Sequence, residues 1–148
     1  MRVTTHTVGT DGATLTAYVQ DRSGELPDRQ RRPAVLVLPG GGYLFTSDRE
    51  AEPVALAYLA AGFNAFVLRY AVGEGVSWEL AYDDGRAALA WLREHAAEVD
   101  VVPGQVAVVG FSAGGHLGAS LCTMSPERPD AAVLGYPWLP AAQDLAEG

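Results

Sequence analysis

The chain has 148 residues, 49% hydrophobic and 19% charged, a composition that can bury one core and excludes disorder. Ten Lys and Arg against eighteen Asp and Glu leave a net charge of -8, which argues against nucleic acid and membrane surfaces as partners; the stretch from Arg29 to Arg32 reads as a solvated loop. Cys122 is the only cysteine, so no intrachain disulfide can form, and a polar N-terminus with no membrane-length apolar run makes a soluble cytoplasmic protein the default expectation.

In chain order, residues 3–7 and the alternating run of Ala13, Leu15, Ala17 and Val19 predict an antiparallel strand pair joined through the turn at Gly9 to Gly12. Residues 21–32 form one polar surface loop rather than a linker, so a single domain over 1–148 is expected. From Pro33 onward, short and nearly continuous apolar runs near 34–38, 64–69, 106–110 and 131–135 predict strands covered on both faces. Helical patterns alternate with them. The first starts at Ser47 and Glu50, which have capping-box spacing, presents Ala51, Val54, Ala55 and Tyr58, and ends at Gly62. The second runs from about Ser77 to Val99 and buries Leu80, Ala88, Trp91, Leu92 and His95; the third runs from Ala113 to near Met124. Strands alternating with helices imply right-handed crossovers and a doubly wound, three-layer α/β fold with a mainly parallel sheet.

Two segments carry chemistry. Residues 110–114 spell G-x-S-x-G between a buried strand and a helical pattern, the context of a nucleophile elbow with Ser112 at its tip. The glycines are needed because a strand turning abruptly into a helix strains the serine backbone and leaves no room for side chains two residues away. The second segment, Pro39, Gly40, Gly41, Gly42 and Tyr43, follows the strand at 34–38 directly. Its glycines would let backbone N–H groups approach a developing oxyanion; the alternatives are a phosphate-binding nest or a plain turn. A nest is disfavoured because no Lys-Ser/Thr follows and no G-x-G-x-x-G is present.

The stretches AVLVLPGGGYLFTSDREAEPVALAYLAAGFNAFVLRY and AALAWLREHAAEVDVVPGQVAVVGFSAGGHLGASL resemble the esterase and lipase branch of the α/β-hydrolases, in particular the acetyl-esterase-like group that includes acetylxylan esterases. The likeness covers most of 33–137, with Pro39 standing where many members carry the histidine of H-G-G-G. The resemblance implies that Ser112 is the nucleophile, that the N–H groups of Gly41, Gly42 and Ala113 form the oxyanion hole, and that Tyr43 borders the acyl pocket. It also implies a small-molecule ester as substrate.

In this fold the acid and the histidine follow the serine along the chain. Only His116 does so, four residues into the elbow helix, where its ring is expected to point along the helix side; His6 and His95 are expected to be structural. Glu127, Asp130, Asp144 and Glu147 flank the last predicted strand, so the chain resembles the first part of a family member, C-terminally incomplete. Two readings stay open: a serine carboxylester hydrolase that is weak or inactive at this length, and a noncatalytic module that binds a ligand or partner across its unfinished edge. That edge would also favour homo-oligomers. Of the neighbouring Asp83 and Asp84, one is expected at the surface and one in a structural hydrogen bond. The His and Cys positions suggest no metal site, and hydrolysis would need no cofactor.

Overall fold

The computed structural model describes residues 1–140. Among these, six strands form one sheet: β1 (Arg2–Thr7), β2 (Thr14–Val19), β3 (Arg32–Leu38), β4 (Asn64–Arg69), β5 (Val101–Phe111) and β6 (Ala131–Gly135). Their spatial order is β1-β2-β4-β3-β5-β6. β2 is antiparallel to both β1 and β4, whereas β4, β3, β5 and β6 run parallel. The helices α1 (Glu52–Ala60), α2 (Trp78–Glu94) and α3 (Ala113–Thr123) make the crossovers. This is the doubly wound, mainly parallel arrangement with an antiparallel N-terminal pair that the hydrophobic pattern predicts.

The period of two along each strand divides the core between the faces. Val35 and Val37 of β3 join Ala65, Val67 and Val109 beneath Ala55 and Leu59 of α1. Leu36 and Leu38 point the other way, with Phe66, Leu68 and Val108, against Leu89 and Leu92 of α2 and Leu117 and Leu121 of α3. β3 needs side chains suited to burial on both sides, which is why its sequence shows no polar alternation.

Several predicted boundaries shift. Ser47 makes no side-chain cap; its N–H donates to the Gly40 carbonyl at 2.8 Å, and a 3-10 turn, Asp48–Glu50, intervenes before α1. The expected capping box does not form because the Glu50 carboxylate is engaged elsewhere, and the helix starts instead with Pro53 in its first turn, where a fixed φ and a missing N–H cost nothing. Leu80, expected to be buried, is exposed: it lies one residue off the stripe of Ala81, Asp84, Gly85, Ala88, Leu89 and Leu92 that faces the sheet. β5 begins at Val101 rather than near 106, because Val101 pairs with Arg32 before a register irregularity restores the regular ladder at Ala34 and Val106.

The two neighbouring carboxylates divide as expected. Asp83 is exposed and lies 3.9 Å from Arg86. Asp84 is fully buried and accepts from the Thr10 N–H at 2.6 Å, the Thr10 hydroxyl at 2.9 Å and the Ala71 N–H at 2.8 Å, so it ties the β1–β2 turn to the end of β4. Asp84→Ala leaves these donors unpaired and should lower the unfolding free energy by about 3 kcal/mol, read from the urea midpoint, whereas Asp83→Ala should cost less than about 0.5 kcal/mol.

Candidate active site

The sheet reverses its winding at β3: β4 lies on one side and β5, reached through α2, on the other. Loops leaving the carboxyl ends of two such strands diverge and open a crevice. The ladder pairs Leu38 with Gly110, so the chain leaves β3 into Pro39 and β5 into Phe111 and Ser112 at the same level.

Ser112 sits between β5 and α3 with φ 51 and ψ -116, in the left-handed range of φ that a side chain adopts only under constraint. The constraint is visible in the backbone. The Ser112 N–H donates to the Gly135 carbonyl at 3.0 Å, and the Ser112 carbonyl accepts from the N–H groups of His116 and Trp138, each at 3.0 Å. A Cβ at Gly110 would collide with the backbone of Gly114, and one at Gly114 with the carbonyls of Leu38 and Pro39. The Ser112 hydroxyl makes no capping bond and is left at the positive end of α3.

The glycine loop packs against this turn. A Cβ on Gly40 would lie 2.6 Å from the Phe111 carbonyl and 3.1 Å from Ser112 Cβ, so only glycine permits the approach. The loop is held by bonds from Ser47 N–H to the Gly40 carbonyl and from Leu44 N–H to the Gly41 carbonyl at 3.0 Å, and by the buried Tyr70 hydroxyl, which donates to the Pro39 carbonyl. The N–H groups of Gly41, Gly42 and Ala113 meet no acceptor among the described residues. Gly42, Tyr43, Ser112, Ala113 and Trp138 line one cavity of ≈ 240 Å³. Of the residues predicted for the site, Gly41 alone is not part of that wall; its φ of 148 and the nearby Phe45 carbonyl turn it into the loop interior. Ser112, Gly42 and Ala113 thus line one cavity, and the N–H groups of the last two meet no acceptor among the described residues.

A second cavity, of ≈ 500 Å³, shares Tyr43 and Trp138 with the first and adds Trp78 and His116. His116 Nδ1 and the Tyr43 hydroxyl are hydrogen-bonded at 2.6 Å, and the imidazole meets Trp78 and Trp138 edge-on at 5.2 and 5.3 Å between centroids. The ring therefore faces aromatic neighbours, and burial lowers its pKa from the ordinary histidine value. Burial also pushes the Tyr43 phenol well above its usual range. His6 and His95 flank Trp91, each at 4.4 Å. Asp130 accepts from the Val106 N–H at 2.9 Å, and Glu127 lines a groove with Arg86. Asp144 and Glu147 lie outside the described residues. Sequence reasoning missed Trp78 and Trp138 as walls, and it assigned Glu50 to the wrong partner. Glu50 accepts from the Gly40 N–H at 2.9 Å and the Tyr136 hydroxyl at 2.8 Å. Among the described residues no group of three or more His, Cys, Asp or Glu could hold a metal ion, and no helix is long and apolar enough to cross a membrane.

Residues 25–133 match the family described as BD-FAE. The chain is 34% identical over 128 residues to the carboxylesterase NlhH of Mycobacterium tuberculosis, and 33% identical over 115 residues to an acetylxylan esterase of Xylanibacter ruminicola. Among solved structures it superimposes with a TM-score of 0.91 and 50% identity on MGS-M1, an α/β-hydrolase enzyme from a deep-sea metagenome library of the Medee basin. These alignments cover 84%, 76% and 95% of this chain, but the chain spans only 39%, 24% and 58% of the three proteins' own lengths.

Two measurements probe the packing of the site. Gly114→Ala should destabilise the fold by about 3 kcal/mol or prevent folding, since its Cβ meets backbone, whereas Gly42→Ala, with φ 63 and open space around it, should cost about 1–2 kcal/mol in thermal melts. His116 is held neutral by burial, so its contribution to stability is complete above the unfolded-state pKa of about 6.5 and is lost as the pH falls from there toward its lower folded value. Urea midpoints should decline as the pH falls through about 6.5, and His116→Gln should flatten that decline.

Proposed function

The chain belongs to the BD-FAE family of α/β-hydrolase esterases, and on that premise we propose that it carries the nucleophile and the oxyanion site of a serine carboxylester hydrolase acting on small, short-acyl esters. The observation that carries the reading is the strained Ser112, set in one small cavity with Gly42 and Ala113, whose N–H groups meet no acceptor among the described residues. Ser112 Oγ attacks the acyl carbon, and the carbonyl oxygen becomes an oxyanion that the N–H groups of Ala113 and of the Gly41–Gly42 segment stabilise, at about 3 kcal/mol for each well-placed donor. Collapse breaks the acyl carbon–alkoxy bond. The serine proton passes through a base to the leaving oxygen, and water then releases the acid from the acyl-enzyme by the same route. Tyr43 and Trp138 narrow the cavity to a size that suits acetyl and similar groups, in keeping with the names of the relatives.

No described residue stands as base to Ser112: His116 is engaged with Tyr43, and His6 and His95 with Trp91. We assign the acid and base of the triad to residues outside 1–140, following the chain order of the fold. The described part, read as one domain with 141–148, presents the open side of β6 with Val133, Leu134, Tyr136 and Trp138 exposed, a place where a further strand or a second copy would pair.

The 148-residue chain should hydrolyse an aryl acetate slowly, and Ser112→Ala should change that rate little, because loss of a triad histidine costs about 10^6 in kcat. Fast Ser112-dependent turnover by a demonstrated monomer would overturn the assignment of the base. In a longer protein that includes the acid and base, Ser112→Ala should abolish turnover; if it does not, the esterase reading of Ser112 fails.

A further inference from the structure

Glu50 is not used by the reaction outlined above, yet it touches both halves of the site. Its two carboxylate oxygens have separate partners. Oε2 accepts from the Gly40 N–H at 2.9 Å, and Oε1 accepts from the Tyr136 hydroxyl at 2.8 Å. Gly40 opens the glycine loop and lies within 3.1 Å, measured from its would-be Cβ, of both Glu50 Oε2 and Ser112 Cβ. Tyr136 begins the turn after β6, and the end of that strand and the turn supply the Gly135 carbonyl and the Trp138 N–H that fix the Ser112 backbone. No Lys or Arg pairs with Glu50 among the described residues, so both its bonds are charge-assisted bonds from neutral donors.

The geometry points to Glu50 as a positioning residue that clamps the oxyanion loop to the serine elbow through the Gly40 N–H and the Tyr136 hydroxyl. The inference rests on the esterase reading of the site. A loop of three consecutive glycines has no side chains with which to pack, and its orientation must come from backbone partners. The clamp supplies one at the Gly40 N–H, beside the elbow. A role through charge would work the other way, since a carboxylate near a developing oxyanion repels it. What the site gains from Glu50 is therefore the placement of two hydrogen bonds and not its negative charge. The bond to Glu50 raises the Tyr136 phenol above its ordinary value, as expected of a hydroxyl that keeps its proton and donates it.

This separates two substitutions of the same residue. Glu50→Gln removes the charge and keeps both bonds, its amide oxygen accepting from Gly40 and its amide nitrogen donating to the Tyr136 oxygen. Glu50→Ala removes both bonds. In the 148-residue chain, hydrogen exchange at the Gly40 amide should accelerate at least tenfold in Glu50→Ala and stay within about threefold of wild type in Glu50→Gln, with the β3 and α3 amides unchanged in both. A short alkylboronic acid, which forms a tetrahedral adduct on a serine hydroxyl without turnover, provides the second readout through the Gly41, Gly42 and Ala113 amide shifts. Its affinity should fall about tenfold in Glu50→Ala and at most threefold in Glu50→Gln, with Tyr136→Phe in between. Equal losses in the Gln and Ala variants would show that charge and not placement matters, and unchanged Gly40 exchange in Glu50→Ala would remove the clamp altogether. If the boronic acid fails to bind wild type for want of a base, its affinities are read in a longer protein that includes the acid and base, where failure would count against the esterase reading, while the Gly40 exchange rates in the 148-residue chain still decide the role of Glu50.

Discussion

The parallel pairing of β3 with β5 is the constraint on which the rest of the molecule depends. Leu38 against Gly110 sets two loops level at the point where the sheet reverses direction, and the meeting of the glycine loop with the serine elbow follows from that register. A slip by one residue would turn Val35 and Val37 toward α2 and Leu36 and Leu38 toward α1, exchanging the two faces of a strand that is buried on both. The side chains differ in volume, so the penalty for the wrong register is paid in the core rather than at the site.

Backbone approach then replaces side-chain packing. Gly40, Gly110 and Gly114 allow three main-chain segments to meet where any Cβ would intrude, and the Ser112 backbone is forced into a positive φ that three backbone hydrogen bonds maintain. A conformation of this kind costs about 1–3 kcal/mol and persists only where the surroundings over-determine it. Here the surroundings include β6, Gly135 and the turn that carries Trp138. The elbow is in this sense a property of two neighbouring strands and the turn beyond them.

Much of this was legible in the sequence, for stateable reasons. Burial on both faces makes a strand an unbroken apolar run, so β3, β4 and β6 could be found within a residue or two, and steric demand writes itself as glycine, so residues 110–114 and 40–42 mark the crevice in the sequence itself. What stayed hidden are pairings between distant positions. Glu50 looks like a helix cap because Ser47 stands three residues before it, but its partners are Gly40 and a tyrosine 86 residues away. The bond between Tyr43 and His116 spans 73 residues, and nothing local announces it; only the expectation that the ring would avoid the serine could be drawn from helix geometry. The walls Trp78 and Trp138 are likewise brought together by the fold from positions 60 residues apart. Leu80 was misplaced because an apolar residue one step off a buried stripe cannot be told from one on it by composition alone.

The site also lies on a seam in the order of the chain. Ser112, α3 and the β6 turn that pins the serine all come from one contiguous strand–helix–strand unit, Val101 to Trp138, whereas the glycine loop belongs to an earlier unit built from β3, α1 and β4. The strained serine is thus made from contacts close in sequence, while its neighbouring N–H donors arrive only when two distant units join. Closing such a separation is slow compared with local structure formation. The serine's shape and its surroundings therefore have separate origins, and an opening of the β3–β5 seam would dissolve the cavity while sparing the three hydrogen bonds of the Ser112 backbone.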